Sequence, residues 1–221
     1  MKLSSGSFAL IVAMDKENGM AKNGDLPWQK TVEGKEDMKW FKERTYGSLN
    51  LPRSSEEKKS SQRSILIMGR KTMDSIPSKF FPLPGRINVV VSRSYSPLIT
   101  IFGMLTNSPV VYVNSLTKAI EWAQTFLLST LRSLNVEEEK EEKEESTNTV
   151  SDSPRIIVIG GLEIYQQVLK HPDFKMAIVT KFHKSYSCDL FFPLESLASA
   201  NKGLKKQKEV VTKNASYSFY Y

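Results

Sequence analysis

Phe8-Ala9-Leu10-Ile11-Val12-Ala13-Met14 is an unbroken apolar run of strand length. A strand with one wet face alternates apolar and polar residues, whereas a run without alternation belongs to a strand covered on both sides. Working outward, similar runs recur at residues 64–68, 87–91, 110–113, 155–159 and 176–180. Between them lie helical patterns. Leu116, Ala119, Ile120, Ala123, Leu127 and Leu131 keep helical spacing over residues 115–134, with Ser115 as the N-cap. Strand and helix alternate, which predicts an α/β fold: one domain over residues 1–221 with a mostly parallel central sheet and helices on both faces. Ligands of such sheets bind outside the carboxyl ends of the strands. Tyr217-Ser218-Phe219-Tyr220-Tyr221 is expected to add an edge or antiparallel strand.

Bulk properties agree with one soluble domain. The chain has 221 residues, 40% hydrophobic and 25% charged, a composition that can build a core. The amino terminus has no apolar leader with a cleavage site, and no apolar run reaches the ~18–20 residues that span a bilayer. The expectation is a cytoplasmic protein that meets no membrane. Cys188 is the lone cysteine, so an intramolecular disulfide is excluded and a small core or supporting role is expected.

The formal charge is +7, unevenly spread. Residues 137–145 hold seven Glu and two Lys, and the positive surplus includes Lys202, Lys205, Lys206, Lys208 and Lys213. Readers of nucleic acid combine such charge with stacking aromatics or a groove-reading motif, and none is interleaved here. A surface that attracts an anionic small molecule is the preferred reading, with no obligate nucleic acid. Two segments fall outside the alternating pattern. Residues 46–63 read as a surface insertion, and residues 136–153 as a solvated Glu/Lys run whose first part prolongs the preceding helix.

Several short motifs carry chemistry. Asn23-Gly24-Asp25-Leu26-Pro27-Trp28 is a loop that stiffens at proline and ends in tryptophan, followed by Asp37-Met38-Lys39-Trp40-Phe41. On a helix Asp37, Met38 and Phe41 share one side. A carboxylate among apolar groups must find donors or take up a proton, and a two-amino heterocycle offers a fork of parallel N–H groups. The plainer reading is that Asp37, like Glu33 and Glu36, only favours the helix's positive end. Met68-Gly69-Arg70-Lys71-Thr72 runs from a strand into a basic helix start suited to phosphate, and Gly160-Gly161 before Leu162-Glu163-Ile164-Tyr165 forms a second such place. Ser92-Arg93-Ser94 closes the strand at 87–91 with hydroxyls and a guanidinium, and Pro82-Leu83-Pro84-Gly85 fixes Arg86 at a cleft edge. His171, His183 and Cys188 do not make a ligand spacing, so no metal is expected. No Walker loop, Gly-x-Ser-x-Gly elbow or Gly-x-Gly-x-x-Gly fingerprint is present.

Taken in order, Ile11-Val12-Ala13, the loop from Gly19 to Trp28, Asp37-x-x-Trp40-Phe41, Met68-Gly69-Arg70-Lys71-Thr72, Ser75-Ile76-Pro77 and Pro82 to Asn88 resemble dihydrofolate reductase. Ser92-Arg93, Ile159-Gly160-Gly161, Thr180 and Asp189-x-Phe191-Phe192-Pro193 extend the resemblance across residues 8–193. It implies a dihydrofolate-reductase-like fold with an antiparallel carboxyl-terminal strand, and reduction of 7,8-dihydrofolate by hydride from NADPH in one-carbon metabolism. By that likeness Asp37 holds the pterin's N3 and 2-amino group, Thr180 hydrogen-bonds Asp37, Trp28 orders a water, and Leu26 closes over the two rings. Protonation at N5 would come through water, with Asp37 acting electrostatically.

The resemblance further implies that Ile11, Val12, Met38, Phe41, Lys42, Ile76, Pro77, Leu83 and Ile159 line the folate site and that Arg86 grips its glutamate carboxylate. Ala13 with the loop Gly19, Met20, Ala21, Lys22, Asn23, Gly24 and Asp25 would meet the nicotinamide half of the cofactor. Arg70, Lys71 and Thr72 would take phosphates, and Ser92, Arg93 and Ser94 the adenosine 2′-phosphate. Gly160 and Gly161, joined in the family by a cis bond, would approach the pyrophosphate with Leu162, Glu163 and Ile164, and Tyr165 would pack by the nicotinamide.

Departures from the family pattern are few. Ala21 stands at a usual glycine and Met73 at a usual tryptophan, and three extra residues between Trp28 and the carboxylate make Glu36 a rival to Asp37. The spacing to Trp40-Phe41 favours Asp37. A monomer without a fused thymidylate synthase domain is expected. The competing readings are the riboflavin-pathway reductase of similar fold and a noncatalytic nucleotide- or RNA-binding protein using the lysine-rich tail.

Overall fold

The apolar runs become strands and set the order of the whole sheet. The computed structural model describes residues 6–46, 63–94, 100–102, 108–138, 155–199 and 203–221. Its strands are β1 (Phe8–Met14), β2 (Gly19–Ala21), β3 (Ile65–Gly69), β4 (Ile87–Val91), β5 (Thr100–Phe102), β6 (Val110–Val113), β7 (Ile156–Gly160), β8 (Phe174–Phe182), β9 (Leu190–Phe191), β10 (Lys206–Val211) and β11 (Ala215–Tyr220). Helices are α1 (Val32–Thr45), α2 (Arg70–Ser75), α3 (Leu116–Glu138), α4 (Leu162–Val168) and α5 (Ser196–Ser199). Residues 47–62 and 139–153 of the two expected insertions lie outside the described residues, as does Lys202. The helix expected at 115–134 runs on to Glu138, and Ser115 Oγ accepts from the Lys118 amide at 3.3 Å.

One nine-stranded sheet has the order β10-β11-β8-β1-β7-β3-β4-β6-β5, and β2 pairs with β9 apart from it. The central strands β8, β1, β7, β3, β4 and β6 are parallel, whereas β5 and the pair β10–β11 run antiparallel at the two ends. The expected antiparallel carboxyl-terminal strand is therefore β11, and the lysine-rich segment becomes a further strand outside it. All six residues of β10 are exposed.

Two apolar layers sandwich the sheet. Leu10, Val12, Ile67, Val89 and Val179 face α3 and α4, and Ile11, Leu66, Met68, Val90 and Ile178 face α1 and α2. Strand side chains alternate, so neighbours in β1 serve opposite layers. Burying one such Leu, Ile or Phe contributes about 1.5–3 kcal/mol, which is why the unbroken runs choose the centre of the sheet. Among the described residues no helix is long and apolar enough to cross a membrane.

Candidate active site

Helix α1 is inside out. Its buried residues are Glu33, Gly34, Asp37 and Thr45, whereas Val32 is 66% exposed and Met38 38%. Glu33, Asp37, Phe41 and Thr45 recur every four residues and form one stripe against the sheet. A helix that buries polar groups and leaves apolar ones in water is shaped for something other than packing. Asp37 is 3% exposed, and burial pushes its carboxyl up to about 6 although a hydrogen bond from Thr180 pulls the other way. Thr180, on β8, stands opposite Ala13 of β1 and Tyr217 of β11. Burial and then the Asp37 charge raise both nearby phenols, Tyr217 to about 12 and Tyr165 beyond any working pH. Tyr165 donates its hydroxyl to the Ile11 carbonyl at 2.6 Å. Glu36 is exposed and receives the Asn214 side-chain amide at 3.4 Å, so the rival carboxylate points away from this pocket.

The tryptophan loop is locked to the start of α1. Thr31 caps the helix by accepting from the Gly34 amide at 3.1 Å and donates its hydroxyl to the Trp28 carbonyl at 2.9 Å. A cap of this kind contributes about 1 kcal/mol. A Cβ on Gly34 would run into that same carbonyl, so only glycine lets loop and helix meet. Trp28 is fully buried, its ring 4.7 Å from Phe182 and 5.5 Å from Tyr186, and its Nε1 has no protein partner among the described residues.

Asp15 secures the base of the next loop. Burial works against its charge, yet the amides of Tyr186, Gly19 and Glu17 hold its carboxyl below the ordinary range, at 2.9, 2.8 and 2.9 Å. Cys188 packs where a Cβ on Gly19 would lie, and burial with the neighbouring Asp15 raises its thiol to about 11. Farther along, the Asn23 amide donates to Asp189 Oδ2 at 2.7 Å and the Asp189 amide to the Ala21 carbonyl at 3.0 Å. The loop turns at Asn23 and Gly24, both at positive φ, and presents Leu26, 37% exposed, at its rim.

Phe41, Ile76, Leu83 and Ile159 gather on one side of the sheet with Ile11, and Met73 and Phe81 complete that wall. Val12 packs in the opposite layer, so only its backbone faces this side. Lys42 and Pro77 are exposed at its edge. Arg86 is 4% exposed, yet among the described residues it meets no carboxylate; Nε donates to the Pro84 carbonyl at 3.0 Å and Nη1 to Thr45 Oγ1 at 2.9 Å. Thr45 in turn donates to the Phe41 carbonyl at 2.7 Å.

At the carboxyl ends of the adjacent strands β7, β3 and β4 the three glycine and basic turns come together. Gly69 leads into Arg70-Lys71-Thr72, and Ser92-Arg93-Ser94 follows β4. Gly160 and Gly161, joined by a cis peptide bond, are close to Thr72: a Cβ on either would lie within 3.4 Å of its Oγ1. Arg70 is paired with Asp74 at 2.7 Å, and Arg93 lies 3.9 Å from Glu163. Leu162 is half-buried, and Ile164 is buried in the layer under α4. Two kinds of residue escaped the sequence reading. Thr31 and Gly34 carried a local signal, a capping threonine three residues before a glycine inside a helical pattern; the Asp15–Tyr186 bond carried none, because its partners are far apart in the chain, and Asp189 was read only as part of a motif, its bond to the Asn23 amide being comparably distant.

The fold is α/β, and its glycine and basic turns gather at the carboxyl ends of parallel strands, the place where ligands of such sheets bind. A sequence model of the dihydrofolate reductase family matches residues 51–126 and 111–221. Dihydrofolate reductase of Pneumocystis carinii is 32% identical over 189 residues, covering 86% of this chain and 75% of that protein. Bifunctional dihydrofolate reductase-thymidylate synthase 2 of Arabidopsis thaliana is 32% identical over 187 residues, 85% of this chain but only 26% of that protein. The chain thus spans about a quarter of the length of the bifunctional relatives it matches. In three dimensions it is similar to dihydrofolate reductase from Enterococcus faecalis complexed with NADP(H) and RAB-propyl, with a TM-score of 0.60 at 20% identity, covering 98% of this chain and 96% of that one. The chain belongs to the dihydrofolate reductase family.

Proposed function

We propose that this protein reduces 7,8-dihydrofolate to 5,6,7,8-tetrahydrofolate with NADPH, as a cytoplasmic monomer serving one-carbon metabolism. The observation that carries this reading is Asp37: a carboxylate 3% exposed on the helix that also carries Phe41, with Thr180 as its side-chain partner among the described residues. Its open oxygen lone pairs suit the amidine edge of a pterin, which donates two parallel N–H groups. That contact fixes the ring and raises the basicity of N5 through the field of the charge, while the proton itself arrives through water. Trp28 Nε1, a buried donor without a partner among the described residues, is suited to hold that water.

The apolar wall of Phe41, Ile76 and Leu83 takes the benzoyl part of folate, and Met38 and Ile159 border it. Arg86, a buried cation lacking a carboxylate among the described residues, receives the glutamate carboxylate. NADPH, when bound, supplies the hydride. The residues present fit it: Gly160 and Gly161 form a cradle that a Cβ would fill, and Arg70, Lys71, Thr72, Ser92, Arg93 and Ser94 offer donors for its phosphates. Ala13, Tyr165 and the loop from Gly19 to Asp25 border the nicotinamide, and Leu26 shuts out bulk water.

The test is NADPH oxidation followed by absorbance with and without dihydrofolate. Turnover that needs both compounds supports the reading, and a chain that binds both without turnover overturns it. Arg93→Ala weakens NADPH by about tenfold and NADH little, since only NADPH carries the 2′-phosphate; equal losses would remove Arg93 from that role.

A further inference from the structure

The face of the sheet opposite Asp37 holds a cavity of about 320 Å³ at the β8–β11–β10 end. Thr180 and Tyr217 turn toward α1, so the alternating partners on the same strands, Lys181, Ser216 and Ser218, turn the other way and line this cavity. Lys16, His183 and Lys206 join them. Three ammonium groups thus surround one space with a single carboxylate, Glu209.

That carboxylate is already engaged. Glu209 Oε1 takes Lys206 at 3.0 Å and the Ser218 hydroxyl at 3.2 Å. Lys181 donates to a neutral acceptor, Asn18 Oδ1, at 2.9 Å, and Lys16 meets no carboxylate among the described residues. His183 places one ring nitrogen 3.2 Å from the Lys213 carbonyl and the other 3.2 Å from Ser216 Oγ. Two cations therefore line one space without a carboxylate partner among the described residues, which gives that space a field favourable to an anion. Val179, Leu194 and Tyr220 supply an apolar side. The volume lies in the range of small-molecule pockets and is far larger than one inorganic phosphate needs.

We infer that this cavity is a second ligand site, which binds a phosphomonoester of small apolar or aromatic body. The phosphoryl oxygens lie between Lys16 and Lys181 with the Ser216 hydroxyl, and the organic part rests on Val179, Leu194 and Tyr220. The site is separate from the cofactor phosphate cluster at Arg70 and Arg93, which is at the ends of β3 and β4.

The inference is tested by titrating 15N-labelled protein with phenyl phosphate and, separately, inorganic phosphate at constant ionic strength, following backbone amide shifts residue by residue. Saturable shifts at Lys181, His183, Ser216 and Ser218 are expected, with phenyl phosphate bound about tenfold tighter than inorganic phosphate. The double variant Lys16→Met, Lys181→Met weakens phenyl phosphate at least tenfold, and Glu209→Gln tightens it; Arg93→Ala leaves these shifts unchanged. Thermal melting of each variant confirms the fold. Shifts that grow linearly over all exposed lysines, shifts confined to residues 70–72 and 92–94, or unchanged binding by the folded double variant overturn the inference.

Discussion

Glu33 and Asp37 lie one turn apart on the same face of α1, and both are almost wholly out of water. Their carboxyls nevertheless titrate at opposite ends of the acidic range. Glu33 accepts from Lys184 Nζ at 2.7 Å and the Tyr186 hydroxyl at 2.8 Å, and these bonds hold it down at about 2. Asp37, with Thr180 alone, is driven by burial to about 6. The difference is one of depth and of partners together: Asp37 lies deep, where burial dominates, whereas Glu33 lies shallow beneath Lys184 and Tyr186, where its bonds outweigh burial. Glu33 is a finished joint between α1 and the segment after β8, whereas Asp37 keeps its charge at the expense of the fold, as the proposed contact with a pterin requires.

The sharpest break in this comparison is Asp37→Asn. Loss of the charge lowers kcat/KM for dihydrofolate by about a hundredfold or more. The same change stabilises the fold, and the sign follows from the raised carboxyl. Between the ordinary value near 4 and about 6 the folded chain holds its proton more tightly than the unfolded chain, so stability drains away as pH rises through that window. The deficit above pH 6 is about 3 kcal/mol, which asparagine avoids. Denaturant melts at pH 7.5 and pH 4 check it: a variant no more stable at pH 7.5, or as active as the parent, removes the special status of Asp37.

Glu33→Gln should do the reverse. Its lowered carboxyl contributes stability that is complete above about pH 4.5 and is lost as pH falls toward 2. The variant melts with about 1–2 kcal/mol less stability at neutral pH and keeps turnover within about twofold. A collapse in turnover with intact stability would make Glu33 the functional carboxylate.

Smaller effects refine the picture. Thr180→Val removes the one bond that favours the Asp37 charge, so the bend near pH 6 in the kcat/KM profile moves upward and stability falls by about 1 kcal/mol. A bend that stays in place detaches Thr180 from Asp37. Lys184→Met is the mildest, under about 1 kcal/mol, because that side chain is 66% exposed and Tyr186 still serves Glu33. A larger loss in the melt would show the ion pair, and not the phenol, to be the joint.

How far this was legible in the sequence depends on which forces shaped each part. Strands covered on both faces must be apolar throughout, so β1, β3, β4, β6, β7 and β8 announce themselves, whereas the spacing of Asp37 and Phe41 on α1 left the plainer reading of a helix-end carboxylate open. The sequence spacing preferred Asp37 to Glu36, and in the structure Asp37 is buried while Glu36 is exposed. Strands β2 and β9 are too short to show a period, and β10, Lys-Gln-Lys-Glu-Val-Val, is a strand because β11 offers it an edge rather than because it has a buried face. Asp15 and Glu33 meet partners more than 150 residues away, and no local pattern encodes such pairings.

The rim strand β10 has one further consequence. Its outer row of amide and carbonyl groups is the kind of template on which another chain can lay itself, and Val210 and Val211 make it sticky at one end. Lys206 and Lys208 guard the other end: a copy of the same segment laid parallel and in register would set its own ammonium groups beside them and be repelled. Acetylating or replacing those two lysines is expected to lower that barrier and let the edge pair with other chains more readily, read as increased light scattering.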